Sequence, residues 1–388
     1  MKKAWFAAPL VAGAIAVAWQ QPAVKLPPPY STPSAKNGAK VISRPDGAQL
    51  KVPAGFNVEE FASGFTRPRI MLQGPGGEVL VSDTTPKGAI YSLKGGEKKT
   101  LIDGLDRPYG IGFWKEYLYV SDANGLRRYK YDSKTIGVGP ASAELASYKN
   151  YTKGHYTHSM TFDPKGEKLY VTIGSGSNAD PDDDPVRATI QRYNPDGTGV
   201  ETYASGLRNI LGLKFYPGSN AMWAAVQERD GLGDELVPDF FTHIQQGGFY
   251  GWPYAYFGPN EDPTNKGLKP ELVKKSIVPD VDLGSHVATM DFIFYTGKSF
   301  PAKYKGGAFF AFHGSSNKAQ RVGYSVEFIP FKNGKPSGPK EEFLSGWMLG
   351  ADKREVWGRP VGLLQMTDGS LLVSEDGGNK IWRVSYKP

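Results

Sequence analysis

From Arg67 onward, apolar residues fall into short runs, and the runs come in pairs. "RPRIMLQGPGGEVLVSDTTPKGAIYSL" shows the unit: an apolar strand, a Gly-containing turn, a second apolar strand, then a polar loop. The unit recurs as "RPYGIGFWKEYLYVSDANGLRRYKY" from Arg107, "HSMTFDPKGEKLYVTIGSGSN" from His158 and "RNILGLKFYPGSNAMWAAVQERD" from Arg208. It returns as "GGAFFAFHGSSNKAQRVGYSVEFIPF" from Gly306 and "GRPVGLLQMTDGSLLVSEDGGNKIWRVSY" from Gly358. Such a unit cannot bury both faces alone, and radial stacking solves that problem. Six units spaced about 40 to 50 residues apart predict an all-β fold, a six-bladed β-propeller with its ligand site over the central axis. Seven blades or a sandwich are less economical. The longer gap over residues 250–305 predicts insertions and an excursion across one face.

Composition agrees with many short strands and tight turns: 48 Gly, 30 Pro, 13% aromatic residues, and almost no helical periodicity. The N-terminus departs from the pattern. Met1, Lys2 and Lys3 precede an apolar run from Ala4 to Trp19, and Ala16-Val17-Ala18 has the small-x-small form of a cleavage site. Residues 1–18 are therefore expected to be an export signal, with a retained anchor as the alternative, and the protein to be periplasmic or secreted. Residues 19–50, rich in Pro, Ser and Lys, are expected to be a spacer, and residues 51–388 the propeller. No other segment is apolar enough to span a bilayer, so stable membrane insertion is not expected after signal removal.

The absence of cysteine excludes disulfides, a lipid-modified Cys, thiolate zinc and covalent haem attachment. Redox chemistry here needs a bound organic cofactor or a metal with oxygen or nitrogen ligands. The formal charge of +7 falls to +5 when Lys2 and Lys3 leave, and the remaining basic residues are scattered, which argues against nucleic-acid binding.

Aligning the units puts Arg69, Tyr109, His155, Arg208, Asn209 and Arg359 at or near the starts of first strands. Radial geometry makes equivalent positions converge on one axis. A single Arg-Pro before a strand is more often just a turn, but recurrence weakens that reading. "GHYTHSM" holds His155 and His158; a histidine at a propeller mouth is a candidate general base, and structural service is equally open. "NADPDDDPVR" lacks the Gly and bidentate Glu of a calcium loop and reads as a solvated acidic loop. "QERDGLGDEL" follows a buried strand and precedes "GGFYGWP", a corner pinned by large rings. No Gly-x-Ser-x-Gly or His-Glu-x-x-His is present.

Together "GHYTHSMTFDPKGEKLYVTIGSGSN", "ASGLRNILGLKFYPG", "VQERDGLGDELVPDFFTHIQQGGFYGWPYAYFG", "LGSHVATMDFIFYTG", "FFAFHGSSNKAQRVGY", "GRPVG" and "LLVSEDGGNKIWRV" resemble the soluble PQQ-dependent sugar dehydrogenases, nearest the L-sorbosone dehydrogenase branch, over residues 45–388. The resemblance implies PQQ (pyrroloquinoline quinone) and Ca²⁺ over the propeller axis. It implies a sugar or sugar-derived aldehyde as substrate and a separate electron acceptor, a cytochrome or quinone. It places Arg208 and Asn209 at the quinone oxygens, and Arg359 with Lys318 or Arg321 at the cofactor carboxylates. The backbone carbonyls of Arg229 and Asp230 would hold Ca²⁺, His155 would be the base, Arg208 would stabilise the developing oxyanion, and His286 and Tyr109 would line the substrate mouth. Three positions depart from the family pattern. Ser175 stands where the glucose-oxidising relatives have the Asp that orients the base. His158 stands in place of Arg, and "SNK" at residues 316–318 in place of Trp-Asn-Arg. A lactonase-type metal hydrolase and a non-catalytic sugar-binding propeller are the competing readings.

Overall fold

The structure, a computed structural model, describes residues 24–387; the expected export signal lies outside the described residues. Six antiparallel sheets of four principal strands follow one another around an axis. Blade 1 is Pro68–Gln73, Val79–Asp83, Gly88–Lys94 and Glu97–Leu105. Blade 2 is Ile111–Trp114, Tyr117–Ser121, Gly125–Asp132 and Gly137–Ala141, with Ala146–Ser147 added beside its third strand. Blade 3 is Met160–Phe162, Leu169–Ile173, Thr189–Tyr193 and Glu201–Ser205. Blade 4 is Asn209–Phe215, Met222–Gln227, Pro238–His243 and Val281–Ser285. Blade 5 is Thr289–Phe294, Ala308–Phe312, Ser325–Ile329 and Glu341–Leu344. Blade 6 is Pro360–Gln365, Leu371–Glu375, Lys380–Tyr386 and, as its outer strand, Phe56–Ala62 from the other end of the chain. That last pairing closes the ring. The first strands of successive blades touch all the way round.

Burial explains the strand sequences. Second strands lie between neighbouring blades and are buried on both faces, so "VLVSD", "LYVTI", "AFFAF" and "LLVSE" are almost continuously apolar. The outer strand Glu97–Leu105, "EKKTLIDGL", keeps lysines on an exposed edge, which discourages edge-to-edge association. The core sits between blades: Trp223 stacks on Phe241 at 4.7 Å, and Phe241 meets Phe310 edge-on at 4.8 Å. On the axis itself Tyr109, Leu211, Met290 and Val361 pack together and floor the channel.

Two boundaries differ from the sequence reading. Blade 5 begins at Thr289–Phe294, inside the stretch expected to be an excursion, and the strand expected to open it, Ala308–Phe312, is its second. The true first strand, "TMDFIF", was obscured by Asp291 and by the long connection that follows. Buried Asp291 is used structurally, accepting from Lys214 Nζ at 2.5 Å and from the Leu363 amide at 3.0 Å. The excursion is instead the run from 249 to 280, between the third and fourth strands of blade 4, and carries a short helix, Pro270–Lys275. The segment expected to be a spacer lies along the propeller from residue 24. Val24 and Leu26 pack on the blade 4 core, and Lys40–Val41 pairs in parallel with Glu355–Val356.

Candidate functional site

In an antiparallel blade, the start of the first strand and the end of the second lie at the same end of the sheet. Six blades therefore bring twelve such positions around one mouth. There the structure has a cavity of about 340 Å³, floored by Leu211 and Met290 and walled mainly by polar and charged residues. Arg69, His155, Arg208, Asn209 and Arg359 reach it from positions before or at first strands; Glu228 and His313 reach it from the ends of second strands.

His155 is fixed in one tautomer. Its Nδ1 lies 2.9 Å from Ser175 Oγ and 3.1 Å from the Ser175 carbonyl. Ser175 Oγ donates its hydrogen to the Ser177 carbonyl at 2.7 Å, so both atoms facing Nδ1 are acceptors and Nδ1 carries the proton. Nε2 is left with its lone pair. Burial, reinforced by the nearby Arg208 guanidinium, pushes the imidazole down to about 3, so it is neutral at ordinary pH. Gly174 permits this packing: a Cβ there would lie 2.5 Å from His155 Cβ and 3.0 Å from Asn209 Oδ1.

Arg208 is buried and spans two loops, donating from Nε and Nη2 to the carbonyl and side-chain oxygen of Asn178 at 3.2 and 3.1 Å, and from Nη1 to the Glu228 carbonyl at 2.8 Å. Burial lowers its pKa, opposed by Asp230, Glu228 and Asp239. Asn209 donates to Gln227 Oε1 at 3.0 Å, while its Oδ1 is buried without a partner. Arg359 donates to the carbonyls of His313 and Gly314, both at 3.2 Å, and forms no salt bridge to a carboxylate among the described residues. A guanidinium has five N–H groups, so Arg359 keeps three and Arg208 two for a ligand.

His286 lines the cavity but both its nitrogens are occupied: Nδ1 donates to Asp230 Oδ1 at 3.0 Å and Nε2 to the Gly233 carbonyl at 3.1 Å. Despite burial, these acceptors raise its pKa and favour the imidazolium, a clamp on the 228–236 loop. Four other residues singled out from the sequence fall outside the cavity lining. Tyr109 is buried in the axial floor, its hydroxyl 3.3 Å from the Met290 carbonyl, because the ring fills the narrowing channel below the mouth. Lys318 turns away to Glu235 at 2.8 Å and the Asp234 carbonyl at 3.1 Å. The Arg321 guanidinium is taken up by Asn37, Ser315, Tyr324 and Lys353. Arg229 forms a buried pair with Asp262 at 2.7 Å.

As placed, the Asp230 carbonyl already accepts from Asn178 Nδ2 at 2.9 Å and Arg229 Nε at 3.1 Å, leaving a cation poor access to its lone pairs. Among the described residues, the fully buried wall oxygens without partners are Asn209 Oδ1 and Glu228 Oε1, both hard donors of the kind Ca²⁺ takes. No group of three or more His, Cys, Asp or Glu able to hold a metal occurs among the described residues.

One cluster was not singled out as a site from the sequence. Asp376 accepts from Arg69 Nη2 at 2.6 Å and from His313 Nε2 at 2.7 Å. Burial would raise the Asp376 carboxyl, but His313, Arg69 and Arg359 more than offset it, and it lies well below the carboxylate range. Burial holds His313 at about 4, with Asp376 opposing and the two arginines assisting, so at neutral pH the pair is carboxylate and neutral imidazole. The available signal was positional: His313 and Asp376 immediately follow the second strands of blades 5 and 6.

A calcium structure of Trichoderma reesei carbohydrate-active enzymes family AA12 superposes with a TM-score of 0.76 at 21% identity, over 90% of this chain and 99% of that one. The holo form of the pyranose dehydrogenase PQQ domain from Coprinopsis cinerea superposes at 0.72 with 19% identity, over 87% and 97%. In sequence, an uncharacterized protein of Borreliella burgdorferi is 31% identical over 352 residues, covering 87% of this chain and 91% of that protein. The aldose sugar dehydrogenase YliI of Escherichia coli is 30% identical over 197 residues, 43% of this chain and 50% of its own length. The TrAA12-like family profile matches residues 50–387, nearly the whole of the propeller, and this chain belongs to that family.

Proposed function

We propose that this protein is a PQQ-dependent dehydrogenase of sugars or sugar-derived aldehydes, sorbosone-like or aldose, that passes electrons to a separate cytochrome or quinone. The observation that carries this reading is the pairing, in one cavity, of a base-form imidazole with arginines that have spare donors. PQQ brings three carboxylates and an ortho-quinone, and the residues present suit it. Arg359, with no carboxylate partner, could donate in bidentate fashion to a cofactor carboxylate, and Arg208 and Asn209, in the same lining, would face the quinone oxygens. When bound, PQQ supplies a two-electron acceptor for hydride from the substrate carbon.

The chain's own residues do the rest. His155 Nε2 takes the substrate hydroxyl proton while Nδ1–H stays anchored on Ser175. Arg208, held by three hydrogen bonds, presents its remaining N–H groups without reorganising. The apolar floor of Leu211 and Met290 excludes water from below. Ca²⁺ dependence belongs to the same proposal, with Asn209 Oδ1 and Glu228 Oε1 among the oxygen donors that could hold it. Export to the periplasm or beyond is proposed from the basic, apolar and small-residue pattern of residues 1–18. Among the described residues no helix is long and apolar enough to cross a membrane.

The test is to add PQQ and Ca²⁺ to purified protein and follow quinone absorbance and dye reduction with aldoses and sorbosone. Tight PQQ binding with sugar-dependent reduction is expected. Metal-dependent lactone hydrolysis without PQQ would favour the hydrolase, and sugar binding alone the non-catalytic propeller.

A further inference from the structure

The segment from residue 24 to 41 passes, in order, the loops 228–236, 315–321 and 353–356. Its contacts with the first two are dense. Tyr30 N donates to the Leu232 carbonyl at 2.6 Å, and Thr32 Oγ1 accepts from Asp234 N at 2.9 Å. Gly233, at φ +132°, is closely approached by this segment: a Cβ there would lie 3.0 Å from both the Thr32 carbonyl and its Oγ1. Asn37 is the node on the other loop. Its amide donates to the Ser316 carbonyl at 2.8 Å, and its Nδ2 donates to the carbonyls of Lys318 and Ala319 at 3.2 and 3.0 Å. Its Oδ1 and carbonyl each accept from Arg321 at 2.8 Å, and the same guanidinium holds the Ser315 carbonyl at 3.2 Å. The loops are also tied to each other: Ala319 N donates to Asp234 Oδ1 at 2.6 Å, and Lys318 reaches Glu235.

Both loops wall the cavity, through Asp230 on one and Gly314, Ser316 and Asn317 at the start of the other. Neither has a sheet ladder of its own, so their placement depends on bonds of this kind, which the 228–236 loop shares with those from His286, Arg208 and Asp262. We infer that residues 24–41 are a strap belonging to the site, with Asn37 and Thr32 as positioning residues that set the blade 4 and blade 5 side of the cavity. The blades do not depend on them, because the ring is closed by Phe56–Ala62, downstream of the strap. The placement stands on these contacts alone; only the ligand used to read it rests on the proposed function.

The experiment uses full-length protein carrying Asn37→Ala, Thr32→Val or Thr32→Ser. Hydrogen–deuterium exchange is read in 228–236, in 314–321 and in the second strands 308–312 and 371–375, alongside PQQ titration by fluorescence quenching. Losing the Asn37 Oδ1 bond from the Arg321 guanidinium, or the Thr32 Oγ1 bond from the Asp234 amide, is expected to speed exchange in the loops about tenfold or more and weaken PQQ binding about tenfold. The second strands should be unchanged, and Thr32→Ser should behave as the parent. Unchanged loop exchange, or an equal rise in every blade, would overturn the strap. If the parent itself binds no PQQ, the cofactor reading falls, and the exchange comparison still decides the strap.

Discussion

His155 Nδ1 donates to Ser175 Oγ at 2.9 Å, and that oxygen passes its own hydrogen to the Ser177 carbonyl. The relay is neutral throughout. It fixes the ring and its tautomer as a carboxylate would, but adds no charge to stabilise the imidazolium. Burial and Arg208 therefore act unopposed by any carboxylate bonded to the ring, which is why the imidazole sits at about 3. The orientation expected of a base is present, while its basicity is left to whatever anion enters the cavity.

The two histidines of the "GHYTHSM" run should separate under mutation. His155→Ala should keep PQQ binding but lose turnover by about 10² to 10⁴, the contribution of a positioned base. His158 is fully buried, with Nδ1 3.0 Å from the Thr172 carbonyl and its ring 4.3 Å from Tyr148. His158→Ala should lower Tm and leave kcat of the surviving folded protein close to the parent value. Steady-state kinetics and thermal unfolding on both variants check this; a reversal would move the base to His158.

Ser175→Asp tests the neutral relay. A carboxylate at Nδ1 favours the charged ring, so the His155 pKa should rise from its low value. A base works only when unprotonated, so the acid limb of kcat/KM against pH should move to higher pH in the variant. The parent, whose His155 starts from the lower value, should keep its acid limb at lower pH than Ser175→Asp with the same cofactor bound. A parent profile that already breaks near 6.5, unmoved by Ser175→Asp, would show that another group titrates.

How much of this was legible depended on what each residue's neighbours do. Paired apolar runs revealed the ring because second strands, buried on both faces, are almost continuously apolar. "TMDFIF" escaped because Asp291 finds Lys214 and a backbone amide from other blades, partners that no local pattern announces. Arg208, Asn209, His155 and Arg359 could be placed at the mouth because first-strand starts recur. Lys318 and Arg321 could not be judged the same way: both are basic and close to the mouth in sequence, but Asn37 and Glu235, remote along the chain, claim them. His313 and Asp376 stayed hidden because they lie just past the second strands of different blades, and only the closed ring brings them together and to Arg69.

Asp376 makes a stability prediction. Arg69 and Asp376 are a buried pair at 2.6 Å, and removing one partner of such a pair costs about 3–5 kcal/mol. Asp376→Asn should therefore lower the denaturant midpoint at pH 7 by a corresponding amount. The pH dependence has the same sign for both members of the dyad. The depressed Asp376 carboxyl contributes stability above the ordinary carboxylate value that is lost as pH falls through its folded value. His313, held at about 4, takes up its proton more readily once unfolded, so stability should fall as pH drops from about 6.5 to 4. Tm measured across that range should decline in the parent; a flat curve would mean His313 is charged in the fold.

Arg359 and Arg208 should fail in different ways if their roles are those proposed. Arg359 has three donors free and no carboxylate partner, so Arg359→Ala removes a charge-assisted bond to a cofactor carboxylate. Such bonds contribute about 1.5–3 kcal/mol, or about ten- to a hundredfold in affinity. Excess PQQ should then restore turnover. Arg208→Ala removes a donor aimed at charge that develops only during the reaction, and frees Asn178 and the Glu228 carbonyl that it holds. Saturating PQQ should fill that variant without restoring rate, and lysine should not substitute, since one ammonium cannot reproduce a fork spanning two loops. PQQ titration followed by both fluorescence and dye reduction separates occupancy from turnover. If Arg208→Ala is rescued by PQQ and Arg359→Ala is not, the cofactor lies the other way round in the cavity, with its carboxylates on Arg208.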